Sequence, residues 1–416
     1  MTVRTGCLVL LLTLLAATSP SCRRETTPAT RPDSEQRQPP QPATAPDMSQ
    51  PVDEPASTQP GSTTRGDDWP AYQRGGPMLG LGPAIGGAAE MESRWTYRIE
   101  KAGVQAGAAI AGNRVFVGDD DGTVHCIHLA NGKRAWACAT EAKNGFATTP
   151  LVVGGRVFIG DRGGIFYCLS AASGAVLWQY DSGASINSSA NLATNGRVVF
   201  ANDAGDITCM SPASSQPDWV GHIARTNGAL AVSGSEAWAS SCDRTLKSVD
   251  LATGEVARTF ELPLESTSAP VVCGGRVLAT TMDGRVTCVD LAGEKESWRF
   301  EPEEHGSGLA SPACDGSIVV VTGLGGTVYG LDLATGEKKW TFAARDDVVA
   351  SPAISSGRVY VGSEDGRFYV LDLATGKSLW SLDTGKEIRA PAAIGRGVVV
   401  FPDSSGAIHC LSPKKQ

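Results

Sequence analysis

Nine cysteines follow Cys22 in this chain of 416 residues, and a thiol can bridge, bind a metal or act as a nucleophile. Spacing decides among these. Cys126, Cys168, Cys209, Cys288 and Cys410 fall into one series with Ser248, Gly330 and Val370, whose members lie 39 to 42 residues apart by subtraction of neighbouring numbers. A site filled by Cys five times and otherwise by Ser, Gly or Val is a packing position. Its copies in adjacent sheets are expected ~10 Å apart, beyond the ~7 Å Cα limit for a bridge, so the thiol reads as a small apolar filler. Cys138, Cys242, Cys273 and Cys314 stand outside the series and no CxxC pair occurs, so a bridge among these four stays open without support from spacing.

The other candidate chemistries are thinner. His125 and His409 share a repeat position, yet no third or fourth ligand accompanies them, so no metal site is expected. Runs such as Asp119-Asp120-Asp121-Gly122 and Glu364-Asp365-Gly366 lack the spacing of a calcium loop and fall where a hairpin must turn.

The element that positions all of these is the stretch Asp347 to Trp380. Small residues (Ser351, Pro352, Ala353) enter an alternating run, Arg358 to Val361, then an Asp365-Gly366 turn, a second run, Phe368 to Leu371, a Thr375-Gly376 turn and a last strand with Trp380. That makes one four-stranded antiparallel blade, which cannot cover both its faces alone. Closing tryptophans repeat it at Trp95, Trp136, Trp178, Trp219, Trp298, Trp340 and Trp380, with Arg258 at the missing place. The fourth blade is expected to be locally weakened there. Intervals of 39 to 42 match a four-stranded propeller blade, about 40–45 residues. The last copy, Glu387 to Leu411, lacks an outer strand, and Arg94 to Arg98 is an outer strand without a blade. Pairing them closes a ring of eight blades and leaves no open edge. The expected fold is an all-β, eight-bladed propeller.

The tryptophans are then blade-to-blade docking residues rather than a stacking platform. Loops entering the innermost strands surround one mouth of the central channel. They carry Asn144, Asn187, Arg225, Asn227, Glu265, His305, Asp346, Asp347 and Arg389, the candidate binding residues.

The pattern S-P-A…G-R-V-Y-V-G-x-x-D-G-x-x-Y-x-L-D-x-x-T-G-x-x-x-W, from Ser351 to Trp380, resembles the pyrroloquinoline-quinone (PQQ)-like repeat. Two families are built from it: quinoprotein dehydrogenases, and the outer-membrane assembly lipoprotein family of BamB with its non-catalytic relatives. The segment Asp68-Trp69-Pro70 through Arg74-Gly75-Gly76 also resembles the lead-in of such repeats in bacterial exported proteins. A dehydrogenase of this kind would hold PQQ over a tryptophan floor beneath a disulfide of adjacent cysteines, with Ca²⁺ on carboxylate and amide ligands and an aspartate as base. This sequence has no Cys-Cys pair, and its regular spacing leaves no room for the inter-blade insertions that build such a site.

Residues 1–21 read as an export signal, with Arg4 before an apolar core, Leu8 to Ala17, that is shorter than the ~20 residues of a membrane span. Cys22 resembles a lipidation cysteine, although Ser19 stands where the lipoprotein pattern has Leu. Residues 22–68 carry that anchor and a Pro/Thr/Gln/Ser-rich tether of roughly 35–40 Å mean reach. A lead-in spans 69–94 and the propeller 95–416. Net charge −8 and a pI near 5.3 argue against a nucleic-acid partner, which needs clustered Lys and Arg.

Three functions follow as expectations. The first is a non-catalytic, lipid-anchored envelope scaffold that touches envelope proteins, by resemblance the outer-membrane barrel assembly machinery, as a monomer without cofactor. The second is a module binding a small ligand or glycan in the channel mouth, and the third a PQQ- and calcium-dependent dehydrogenase.

Overall fold

The computed structural model describes residues 66–303, 310–323 and 325–414. His305 and Cys22 lie outside the described residues, as do the export signal and almost all of the tether. Eight four-stranded antiparallel sheets follow one another, with order inner to outer along the chain in seven of them. The eighth runs Met91–Arg98, Ala407–Pro413, Val398–Pro402, Ala393–Gly395, so its outer strand comes from the front of the repeat array. Trp95 pairs with Cys410 in that closure, which is the ring closure expected from the two incomplete ends. The only helical turn among the described residues is Tyr72–Arg74, and none of their helices is long and apolar enough to cross a membrane.

Second and third strands are apolar without alternation, as in Arg156–Gly160 and Ile165–Ser170, because each is covered on both faces by neighbouring blades. Outer strands alternate, as in Val176–Asp181, because one face is wet. Turn aspartates behave as hairpin residues. Asp119 Oδ1 accepts the backbone N–H of Asp121 (3.0 Å) and Thr123 (2.7 Å), and Gly122 takes the positive φ (78°) that the tight turn needs.

The ten-residue offset between the small site and the tryptophan is a direct cross-strand pair, Cys126↔Trp136 and Cys168↔Trp178 among them, followed each time by a bulge. The indole then reaches the next blade. Trp95 Nε1 donates to Leu129 O (2.8 Å), Trp136 to Ala171 O (3.1 Å), Trp298 to Leu333 O (2.9 Å) and Trp340 to Leu373 O (2.8 Å). Arg258 does not break this series, contrary to the expected weakening. Its Nη1 donates to Leu291 O (3.2 Å), the equivalent carbonyl, and its Nε pairs with Glu236 (3.2 Å) while the guanidinium lies over Trp238. A guanidinium is a planar N–H donor and replaces the indole geometrically. Arg258→Trp is therefore expected to change stability by less than ~1 kcal/mol, whereas Arg258→Ala loses about 1–2 kcal/mol, both read from urea midpoints.

The cysteines of the repeat site are buried, with free thiols. Burial pushes Cys126 up to about 11 and Cys168, Cys288 and Cys410 up to about 12. At pH 8 the thiolate fraction of a group at 11 is only ~0.1%. Among the described free cysteines, only half-buried Cys138 is expected to react with a thiol reagent before unfolding.

One bridge forms between described residues. Cys273 and Cys314 are disulfide-bonded with a Cα separation of 6.6 Å. The two stand outside the Cys126 series yet correspond to each other: 41 residues is one repeat, and both sit on innermost strands, Val271–Cys273 and Ala313–Cys314. The ~10 Å spacing of packed sheets applies further out. Blades converge on the axis, so adjacent inner strands come within bridging range.

Candidate functional site

The central channel is closed at one end by residues 67–82. This segment circles the axis and hydrogen-bonds every blade at or beside its innermost strand: Arg396 N to Asp67 O (2.8 Å), Trp69 N to Ile110 O (2.9 Å), Val152 N to Pro70 O (2.8 Å), Gly76 N to Asn191 Oδ1 (2.8 Å), Val232 N to Gly76 O (2.7 Å), Val272 N to Pro77 O (2.9 Å), Cys314 N to Leu79 O (2.9 Å) and Ile354 N to Gly80 O (2.7 Å). Inner strands are edge strands with unpaired backbone groups facing the channel, and the plug supplies their partners. Trp69, Met78 and Ile85 anchor it at 0–2% exposure, and the buried Asp68 carboxylate accepts Arg396 Nε (2.6 Å).

At the other end the entry loops form a funnel. The first loop residue accepts a repeat-wide backbone bond, as in Asp203 N to Ser185 O (2.8 Å) and Cys242 N to Arg225 O (2.9 Å). The second is buried (Phe146, Ile186, Thr226, Ser266, Ile388), which turns the third toward the channel. Gln105, Ala147, Asn187, Asn227 and Thr267 thus line a cavity of about 140 Å³. Below them comes a ring of small residues, including Thr149, Ser189 and Ser311, and the floor is Tyr72 of the plug. The Tyr72 hydroxyl donates to Ser311 Oγ (3.0 Å) and shares a hydrogen bond with Ser351 Oγ (2.8 Å), and burial raises its pKa above the ordinary phenol value.

The named candidates fall into separate sectors of this mouth. Asn187, Arg225 and Asn227 meet at Asp203. Asn187 Nδ2 donates to Asp203 Oδ1 (3.0 Å), Arg225 Nη2 lies 3.6 Å from Oδ2, and Asn227, oriented with its amide nitrogen inward, donates to the same Oδ1. Asn144 Nδ2 reaches Asp161 (3.4 Å) behind the wall. Glu265 offers its backbone carbonyl to Met282 N (2.8 Å). Arg389 pairs with Glu364 (2.9 Å) and Glu387 (3.0 Å). Asp346, Asp347 and Glu364 bring three carboxylates within 4.8 Å of one another. Burial and these neighbouring carboxylates raise the Glu364 pKa, with Arg389 opposing. His125 and His409 each bond an aspartate, Asp119 (2.9 Å) and Asp403 (2.8 Å), in their own blades.

Tyr72, Gln105, Thr149, Ser189 and Asp203 were missed by sequence reasoning. Gln105 and Asp203 occupy repeat positions and were within reach of the register. Tyr72 carries no repeat signal.

The lining does not fit PQQ with calcium. It has no tryptophan and no carboxylate, and about 140 Å³ is below the ~300 Å³ at which small-molecule sites begin. An open cleft of about 900 Å³ at the chain ends is lined by Glu92, Arg94, Arg396 and Lys414. Two of its cations are already paired, Arg396 with Asp68 and Lys414 with Glu90.

Eight such blades, with their register and ring closure, define a PQQ-like-repeat propeller. The chain belongs to the family described as outer membrane protein assembly factor BamB, which matches residues 88–299 and 282–415. Among solved structures it is similar to BamB from Moraxella catarrhalis (17% identity, 79% of this chain and 99% of that one, TM-score 0.67). It is likewise similar to the quinohemoprotein alcohol dehydrogenase from Comamonas testosteroni (13% identity, 84% and 81%, TM-score 0.71). The computationally designed Ika8 protein also matches (18% identity, 77% and 99%, TM-score 0.67). At these identities the likeness establishes the fold. No curated protein matches the chain.

Proposed function

We propose that this chain is a non-catalytic interaction scaffold of the bacterial cell envelope, held to a membrane through Cys22 and presenting its propeller to envelope proteins. The observation that carries this reading is the plug. A channel sealed by the chain's own backbone, above which remains a cavity of about 140 Å³ with no charged side chain in its lining, supports this reading, since it leaves PQQ neither room nor carboxylate ligands there. What it does offer is a rigid ring of loops and eight outer edge strands, the features through which propellers take protein partners. By family membership the expected partners are outer-membrane barrel proteins or their assembly machinery.

The test is affinity recovery from detergent-solubilised envelope with the full chain, beside a thermal-shift titration with PQQ plus Ca²⁺. Specific recovery of barrel or assembly proteins supports the scaffold. A PQQ-dependent rise in Tm with no partner recovered overturns it.

A further inference from the structure

Turn chemistry asks for one aspartate per blade at the mouth, the one that caps its hairpin as Asp161 Oδ1 does by accepting Gly163 N (2.9 Å) and Ile165 N (2.9 Å). In the second, fourth and fifth blades an arginine of the same turn accompanies it, Arg162, Arg244 or Arg285. The first, seventh and eighth blades depart from this. Their turns carry Asp119-Asp120-Asp121, Glu364-Asp365 and Asp403, with no cation. Ring closure makes these three blades neighbours.

The remaining mouth loops sharpen the contrast. Those of blades seven, eight and one (344–352, 363–366, 384–392, 403–406, 99–108 and 119–122) hold ten acidic and four basic residues, an excess of six negative charges. Those of blades two to five (140–150, 161–164, 182–190, 202–205, 223–230, 241–244, 262–270 and 281–285) hold six and five. Arg162 reaches Asp120 (3.4 Å), and Arg389 is shared by Glu364 and Glu387. Asp121, Asp346 and Asp347 make no ion pair among the described residues. Asp346 and Asp347 instead lie with Glu364 in one group of carboxylates within 4.8 Å. Like charges this close oppose folding, and blades two to five form without such an excess.

A field of this sign repels an anionic lipid surface or a nucleic acid and attracts cations. One metal ion is matched to a single shell of oxygens, whereas the crescent extends over three blades, on the order of 20 Å at ~10 Å per blade. That is the length of about six extended residues.

We propose that the acidic crescent of blades seven, eight and one is the docking surface for a basic segment of a partner protein. The inference rests on the scaffold reading and adds the face the partner meets and the charge it brings.

The experiment titrates the full chain at about 0.01 M salt with the N-acetylated, C-amidated peptide Arg-Gly-Arg-Gly-Arg-Gly, followed by NMR or calorimetry, beside the same peptide with glutamate for arginine. Saturable binding with a Kd on the order of 1 mM is expected for the arginine peptide only, weakened about tenfold at about 0.15 M salt. Asp121→Asn, Asp346→Asn and Glu387→Gln combined, one solvent-accessible carboxylate from each of the three blades, should weaken it about tenfold. Glu92→Gln, Glu255→Gln and Glu337→Gln combined remove the same charge from exposed positions away from the mouth and should change it less than about twofold. Equal weakening by both triples would reveal an effect of net charge and overturn the proposal, as would no saturable binding or equal binding of the glutamate peptide. On the wild-type chain the arginine peptide should shift resonances in 119–122, 344–347, 363–366 and 384–389. Shifts confined to other loops overturn the proposal even if a variant misfolds. Envelope partners recovered equally by wild type and the crescent triple would leave the scaffold standing and remove this face from it. Peptide binding on the crescent without any envelope partner would do the reverse.

Discussion

Trp69→Ala is expected to lower the unfolding free energy by about 3–5 kcal/mol, the range for removing a fully buried large aromatic. Trp69 lies at 2% exposure among Ile85, Ile110 and Ile394, where the plug joins the first and last blades. It sits beside the ring closure, the pairing of Met91–Arg98 with Ala407–Pro413. The loss has two parts: burial of the indole, and a cavity that eight rigid sheets cannot collapse to fill. For about 350 ordered residues this corresponds to a Tm drop of roughly 4–7 °C, measured by calorimetry. A second consequence is specific to the plug. Its backbone bonds should loosen together, so amide exchange should rise at Ile110, Val152, Val232, Val272, Cys314 and Ile354, one per blade. A Tm within 1 °C of wild type, or faster exchange confined to the first blade, would show that the segment does not act as one unit.

The second large effect is loss of the Cys273–Cys314 bridge. It closes a loop with a sequence separation of 41, for which loop-closure entropy gives about 4 kcal/mol of stabilisation. The bridge ties the inner strands of neighbouring blades, where each strand has only two or three residues to hold it. Cys273→Ala combined with Cys314→Ala is expected to lower Tm by about 5 °C under oxidising conditions and to shrink the dependence of Tm on reductant by the same amount. A double variant whose Tm under oxidising conditions equals that of wild type would show that this bridge contributes no stability.

A good part of this architecture was legible before any coordinates. The Trp95-to-Trp380 series and its companion ten residues earlier set the repeat, because a residue that docks one blade on the next must recur once per blade. The two incomplete ends set the closure, because an unpaired edge strand on each side has one economical partner. Asn187, Arg225 and Asn227 could be assigned to the channel mouth for the same reason: register fixes which loop residue faces the axis.

Three features were not legible. Arg258 looked like a lapse in the series, and only its position over Trp238, with Leu291 O in reach, revealed that it makes the tryptophan's hydrogen bond by other means. Cys273 and Cys314 escaped because bridging depends on radius within the ring, and a linear spacing carries no radius. The plug escaped most completely.

What the amino-acid sequence determined by itself was everything that repeats: strand order, turns, blade number and the residues that stack blades, since each copy faces the same local physics. What the tertiary structure alone decided was everything at the axis, where eight copies meet and no single repeat describes the surroundings. There a non-repeated stretch, Asp67 to Gly82, pairs its backbone with the inner strands of six blades, meets the other two through Asn191 and Arg396, and closes the channel. There, too, Asp203 gathers two asparagines from neighbouring blades on one carboxylate oxygen.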